Sequence, residues 1–366
     1  ILVGSSSSAA LYRLDRRDGT LLGEYPAAAP VQAAATVADD RVYFSDTGGH
    51  TWCYERSGRK VWRHDAQAPV LSSPVVRDGL VYLTTVEDLV VALDANDGTL
   101  RWRYQHKTDL LRKLELALYA APGVVLAGDT ALAGFSDGTL AAMSADDGDV
   151  RWTVRVGEGR YPDIVAEPLA LGDSDGLAVV FATSYFEPLM ALDVVTRRPR
   201  WVAPVGSAAP PAIAMSGTEP LLLHPGTDGQ LRAFNPETGD VRWSWASGDD
   251  GALTSPVITP LGAFVGSTTG TLSLVDLASG EAVWRYAPPH LMEGIAGPPV
   301  VDGRQIVFTT HAGFLYSLLA PATPTPWRPA QWVMDRTFLA APPRTKAGRR
   351  DASGDKDNEP TPAGAR

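Results

Sequence analysis

One short pattern returns along almost the whole of this chain. It reads as an apolar residue, a variable residue, a small residue, Leu or Phe, then Asp or Asn, a turn that usually ends in Gly, and a Trp four places on. The clearest copies are Val91-Ala92-Leu93-Asp94 with Asp97-Gly98 and Trp102, and Arg232-Ala233-Phe234-Asn235 with Thr238-Gly239 and Trp243. Others are Cys53-Tyr54-Glu55 with Ser57-Gly58 and Trp62, Ala142-Met143 with Asp147-Gly148 and Trp152, and Leu274-Val275-Asp276 with Ser279-Gly280 and Trp284. A weaker copy has Met190-Ala191-Leu192-Asp193 and Trp201, with Arg198-Pro199 in place of the turn glycine. The first copy, Tyr12-Arg13-Leu14-Asp15 with Asp18-Gly19, puts Tyr25 near the aromatic place. A tandem unit of this kind cannot bury its own faces and must stack on its neighbours.

Successive tryptophans are 40, 50, 49, 42 and 41 residues apart. A second signal recurs in phase with them, a small residue, Pro and an apolar run, as in Ser73-Pro74-Val75-Val76 and Ser255-Pro256-Val257-Ile258. Proline suits the start of an edge strand because it has no N–H to give the ladder. Asp-Gly and similar pairs suit turns that need a positive φ. Each repeat therefore parses into four short strands, with the Trp in the last. Four strands in a period of ~40–45 residues is the signature of a β-propeller. The expected fold is all-β, an eight-bladed β-propeller of four-stranded antiparallel blades, or seven blades if the two terminal copies merge.

Trp62, Trp102, Trp152, Trp201, Trp243 and Trp284 read as structural. A large apolar ring with one N–H donor, at a fixed place in every sheet, can dock on the next blade and bond to its turn. The first copy lacks its first strand. Gln331 to Leu339, or residues upstream of Ile1, would have to supply it. In the last copy the fourth strand is expected near Trp327. Residues 1–341 read as the propeller and 342–366 as a disordered polar tail, because Arg344 to Arg366 carries mixed charge and no aromatic.

Composition removes several functions. The net charge is -10, so no nucleic-acid partner is expected, since phosphate binding needs a basic face. No apolar run reaches the ~20 residues of a membrane helix. Membrane association is expected only through an anchor lying upstream of Ile1. The single cysteine, Cys53, forms no intrachain disulfide and reads as a small packing residue. The six histidines (His50, His64, His106, His224, His290 and His311) show no metal-ligand spacing. Asp146 to Asp149 and Asp173 to Gly176 look faintly like calcium loops, but neither has the full ligand series, and both read as turns. No catalytic motif is present, so no catalytic residue, metal or cofactor is expected.

The Ala-Leu-Asp…Asp-Gly…Trp repeat resembles the quinoprotein-type, PQQ-like propeller repeat over nearly all of residues 1 to 320. Within that superfamily it is most similar to the BamB-type lipoproteins of the outer-membrane β-barrel assembly machinery. Pro299-Val300-Val301-Asp302-Gly303 and Gly313-Phe314-Leu315-Tyr316-Ser317-Leu318 match the end of their last repeat. The two stretched tryptophan steps match two longer connections, Asp109-Leu110-Leu111-Arg112-Lys113 and Gly159-Arg160-Tyr161-Pro162-Asp163-Ile164-Val165. The resemblance implies a periplasmic, outer-membrane-associated scaffold, monomeric by itself. Its partners would be a BamA-like barrel assembly protein and nascent barrel proteins. It also implies that these connections face the barrel protein. Leu111 and Arg112 match the family's Leu-Arg and Asp163 its first Asp, while Val165 stands where a second Asp is expected.

The residues point the same way, since connections longer than their siblings in a repeat array are where binding concentrates. Leu110, Leu111 and Leu114 with Arg112 and Lys113 form an apolar and cationic cluster suited to an interface. The expected contacts are Leu110, Leu111, Arg112, Arg160 and Asp163. Two other readings stay open. One is an extracytoplasmic sensor or ligand-binding propeller. The other is a PQQ-dependent dehydrogenase, although one cysteine rules out the adjacent Cys-Cys pair such enzymes resemble one another in carrying.

Overall fold

The second and third strands of each repeat are nearly continuous apolar runs, while the fourth alternates. That difference follows from where each strand lies. In the computed structural model, which describes residues 1–108, 121–158, 161–173, 176–186, 188–289, 294–319 and 333–338, the middle strands are covered on both faces by neighbouring sheets. Arg41–Ser45 and His50–Glu55 are examples, buried along almost their whole length. In the outer strand Leu100–Gln105, Trp102 is buried and Arg101 and Arg103 are exposed, the period of two expected of a strand with one wet face.

The second repeat shows the plan. Thr36–Ala38, Arg41–Ser45, His50–Glu55 and Lys60–Asp65 pair antiparallel in chain order. Eight such sheets follow one another. The first strands of neighbouring sheets approach each other, so they line the axis and the fourth strands form the perimeter. The fold is an eight-bladed all-β propeller, and the seven-blade alternative falls. The first blade (Leu2–Gly4, Ala10–Leu14 and Leu21–Pro26) has three strands among the described residues; the other seven have four.

One strand lies elsewhere than expected. Val333–Phe338 pairs with Leu315–Leu319 as the fourth strand of the last blade, so Gln331 to Leu339 does not supply the first strand of the first. A strand following a hairpin pairs most cheaply with that hairpin, because the alternative carries the chain across the blade to the axis. Trp327 and the whole of 342–366 lie outside the described residues.

The repeat's letters now have causes. Five of the six repeat tryptophans sit directly across the ladder from the small residue of their pattern, as in Cys53↔Trp62, Ala92↔Trp102, Ala142↔Trp152 and Ala191↔Trp201, while Trp284 faces Leu274. The indole lies over the glycine of the next blade's turn, where an added Cβ would stand 2.7 Å from Trp62 at Gly98 and 2.5 Å from Trp102 at Gly148. Its N–H donates to a carbonyl of that turn: Trp62 to Ala95 at 3.0 Å, Trp102 to Ala145 at 2.9 Å, Trp201 to Pro236 at 3.0 Å and Trp243 to Leu277 at 3.0 Å. Cys53 is buried, and burial pushes its thiol pKa up, which makes it a packing residue.

The first blade replaces the Trp. Gly23 stands opposite Arg13 at the tryptophan position. The Arg13 guanidinium lies 6.0 Å from the Tyr25 ring centroid and donates to the Arg56 carbonyl in the next turn. Ring closure repeats the ordinary contact. Arg41 opens the second strand of its blade and donates to the Ala95 carbonyl of the next turn at 2.7 Å. Gln305 opens the second strand of the last blade and donates to the Arg16 carbonyl at 2.9 Å, and Arg16 pairs with Asp302.

Where the turn glycine is lost, Arg197, not Arg198-Pro199, takes its place. Arg197 has φ 58° and donates its N–H to the Asp193 carbonyl, as Gly98 does to Asp94. A left-handed conformation in a residue with a side chain costs ~1–2 kcal/mol. Arg197→Gly is therefore expected to raise the unfolding free energy by ~1 kcal/mol, read as a higher urea midpoint.

Candidate functional site

Because every blade runs in the same sense, the turns joining second to third strands lie on one face of the ring. The connections from each fourth strand to the next blade lie on that face too. Both long connections of the sequence therefore belong to it, and the described residues show what holds them.

The first connection leaves after His106. The His106 ring stacks on Phe135, 4.3 Å between centroids, and its Nε2 lies 3.0 Å from an Asp137 oxygen. Asp137 also accepts from the Thr139 N–H at 2.9 Å. Burial alone would raise the Asp137 pKa. The hydrogen bonds from His106 and Thr139 outweigh it and hold the value at about 2. Two residues on, the Thr108 hydroxyl donates to the Asp88 carboxylate at 2.7 Å. That carboxylate also accepts the Ser136 N–H at 2.9 Å and the Ser136 hydroxyl at 2.6 Å.

The second connection packs on the same turn of the fourth blade. Ile164 donates its N–H to the Phe135 carbonyl at 3.2 Å, and Gly157 to that of Gly138 at 3.2 Å. A Cβ at Gly138 would meet the carbonyls of Gly157 and Pro162 at 2.6 and 2.7 Å. Glu167, at the end of this stretch, accepts the Gly123 N–H at 3.2 Å, so it touches the chain returning from the first connection. Burial pushes its pKa up against that single bond. The turn at 135–139 is thus the joint between the two connections.

The next blade carries an irregularity that the repeat pattern had not brought out. Its turn puts Tyr185-Phe186 where other blades have Thr47-Gly48, Ser136-Asp137, Thr227-Asp228 or Thr268-Thr269. Tyr185 donates its N–H to the Asp163 carbonyl at 3.0 Å. Phe186 is 55% exposed, and its ring meets Tyr161 at 5.4 Å and Tyr185 at 5.1 Å between centroids. Gly206 is required beneath it, since an added Cβ would stand 2.1 Å from the Phe186 backbone. Three rings thus gather on the rim beside the second connection. A comparison of the turns with one another would have found them in the sequence.

A family model described as outer membrane protein assembly factor BamB matches residues 7–218 and 179–331. The chain belongs to the BamB family. Among curated proteins it is 28% identical to BamB of Xanthomonas campestris pv. campestris, over 81% of this chain and 84% of that one. It is 27% identical to BamB of Burkholderia pseudomallei over 71% of this chain and 66% of that one. Among solved structures, BamB from Moraxella catarrhalis superposes with TM-score 0.70 at 19% identity, covering 86% of this chain and 95% of that one. A europium-containing methanol dehydrogenase superposes with TM-score 0.68 at 14% identity, covering 87% and 80%. The ring itself therefore serves a dehydrogenase as well as BamB proteins, and it is the sequence match that separates them.

Of the BamB-type contact residues expected from sequence, Leu110, Leu111, Arg112 and Arg160 lie outside the described residues. Asp163 is described, and its side chain is 1% exposed. A carboxylate at that depth does not present itself to a partner. What the second connection brings to the rim in its place is Tyr161, with Tyr185 and Phe186 beside it. Asp146 to Asp149 lies in the ordinary turn between third and fourth strands, with the Asp149 N–H bonded to Asp147 at 3.1 Å.

Proposed function

We propose that this chain is a scaffold subunit of the outer-membrane β-barrel assembly machinery, acting by binding alone. It works at the periplasmic side of the outer membrane, and its rim between blades 3 and 5 docks on a BamA-like barrel assembly protein. The observation that carries the docking site is the group of exposed Phe186 and half-buried Tyr161 and Tyr185, tied to the second long connection by the Tyr185 N–H. A half-exposed Phe held by two tyrosines adds nothing to the core. Aromatic rings on a rigid rim are the usual anchors of protein interfaces. Asp163 supports the reading from beneath, since its carbonyl holds the Tyr185 turn.

The test is a titration of the purified chain with the periplasmic region of the barrel protein from the same organism. Phe186→Ala combined with Tyr161→Ala is expected to weaken binding by ~30-fold or more, about 2 kcal/mol at an interface hot spot, with the unfolding midpoint unchanged. Undiminished affinity in the double variant would remove the aromatic rim from the interface. No binding by the wild type would remove the function.

A further inference from the structure

Asp88 occupies a glycine's place. It ends the turn between the second and third strands of the third blade, with φ 59°. The equivalent residues Gly49, Gly138, Gly229, Gly270 and Gly313 have φ of 91°, 85°, 74°, 133° and 85°. The main chain around it is that of its siblings. The Asp88 N–H reaches the Thr85 carbonyl at 3.2 Å, as Gly49 reaches Asp46 at 3.1 Å. The His106 N–H reaches the Asp88 carbonyl at 3.0 Å, as Ala66 reaches Gly49 at 2.9 Å. The turn does not need a side chain there, and the left-handed conformation disfavours one.

In the neighbouring blades a side chain is also shut out by the chain that follows. A Cβ at Gly49 would meet the Ala68 carbonyl at 2.7 Å, and one at Gly138 the carbonyls of Gly157 and Pro162 at 2.6 and 2.7 Å. Thr108 is the counterpart of Ala68, two residues beyond the same main-chain bond. In the third blade the Asp88 side chain fills that space, and the Thr108 hydroxyl binds its far end at 2.7 Å. The other bonds of the carboxylate tie it to Ser136 in the next blade's turn.

We infer that Asp88 is a positioning residue for partner binding: a strained replacement for glycine that redirects the chain at Thr108 and fixes it to the turn that also carries the second connection. This rests on the docking reading above. Strain retained at a place the fold does not require marks a function that uses it.

The experiment measures affinity for the barrel protein's periplasmic region, with hydrogen exchange at residues 106–108 and 136–139. Asp88→Gly restores the turn of the other blades, and Thr108→Val removes only the hydroxyl. Each is expected to weaken binding about tenfold, with no further loss when the two are combined, because Asp88→Gly already removes the acceptor of the Thr108 hydroxyl. Asp88→Asn, which keeps an acceptor and tolerates the left-handed conformation, is expected to stay within about threefold of wild type. Exchange at 106–108 is expected to rise in Asp88→Gly. Wild-type affinity in Asp88→Gly and Thr108→Val would overturn the inference while leaving the docking reading in place. So would losses that multiply in the double variant, which would mark two unrelated defects. If the wild type does not bind, the docking reading fails, and unchanged exchange in Asp88→Gly would then overturn the positioning role as well.

Discussion

Asp46→Ala is expected to lower the unfolding free energy by ~3–5 kcal/mol, the cost of removing the acceptor from a buried charged network. The Asp46 side chain has no exposed surface and carries six hydrogen bonds. One oxygen accepts the N–H groups of Gly48 and His50, both at 3.0 Å, and faces the His50 ring nitrogen at 3.1 Å. The other accepts Ala28 at 3.1 Å, Ala29 at 3.3 Å and the Trp52 indole at 2.9 Å. Ala28 and Ala29 lie on the chain leading out of the first blade, so this carboxylate ties the three-stranded blade to the second. Alanine leaves five N–H donors and a ring nitrogen to find other partners. Asp46→Asn is expected to recover less than half of the loss, because its NH2 must face donors on whichever side it lies. Urea denaturation at pH 7 reads both, and a loss under 1 kcal/mol for alanine would show that water replaces the carboxylate.

The second large effect is a dependence on acid. His224 stands in the second strand of the sixth blade, where other blades have Phe44, Leu83, Val265 or Phe308. It is fully buried, its Nδ1 has no hydrogen-bond partner, and its Nε2 is 3.4 Å from the Thr183 hydroxyl. Burial, helped by the nearby Arg232 charge, lowers its pKa to about 3. A depressed histidine is neutral in the folded protein and protonated in the unfolded chain between those two pKa values. Its contribution is therefore unimpaired above ~6.5 and falls as the pH drops toward 3. By pH 4.5 the loss is on the order of 3 kcal/mol. His224→Leu is expected to remove that loss, so the wild type and variant curves of stability against pH separate below 6.5 and meet above it. Equal slopes down to pH 4 would place the acid sensitivity in other groups.

Much of the fold was legible because a propeller writes its packing into the sequence once per blade. The Trp, the small residue across from it and the turn glycine are one contact read three ways, and repetition made the contact visible. Arg13 escaped notice because it does the tryptophan's work with a different side chain. The place of Val333–Phe338 escaped because a strand pattern states that a segment will pair, not with which edge.

The candidate site was legible in outline. The two long steps between tryptophans marked the connections, but not what they rest on. The turn at 135–139 reads as an ordinary member of the repeat, yet it carries Asp137 under His106 and Ser136 under Asp88. Asp163 was expected as a contact because it matches the first Asp of the family's segment, and a sequence match does not say which way a side chain faces. In the fold the Asp163 side chain is buried, while Tyr161 stays half-exposed.

From the sequence alone came the ring, its eight blades and the rim where the chain departs from its own repeat, because each is set by local periodicity and by the reach of a Trp into the next unit. Membership of the BamB family came the same way. Only the tertiary structure decided which side chains stand at that rim and which support it. Burial and hydrogen bonding at a joint between blades depend on residues far apart in sequence, 31 positions for His106 and Asp137 and 48 for Asp88 and Ser136, whose meeting no local pattern records.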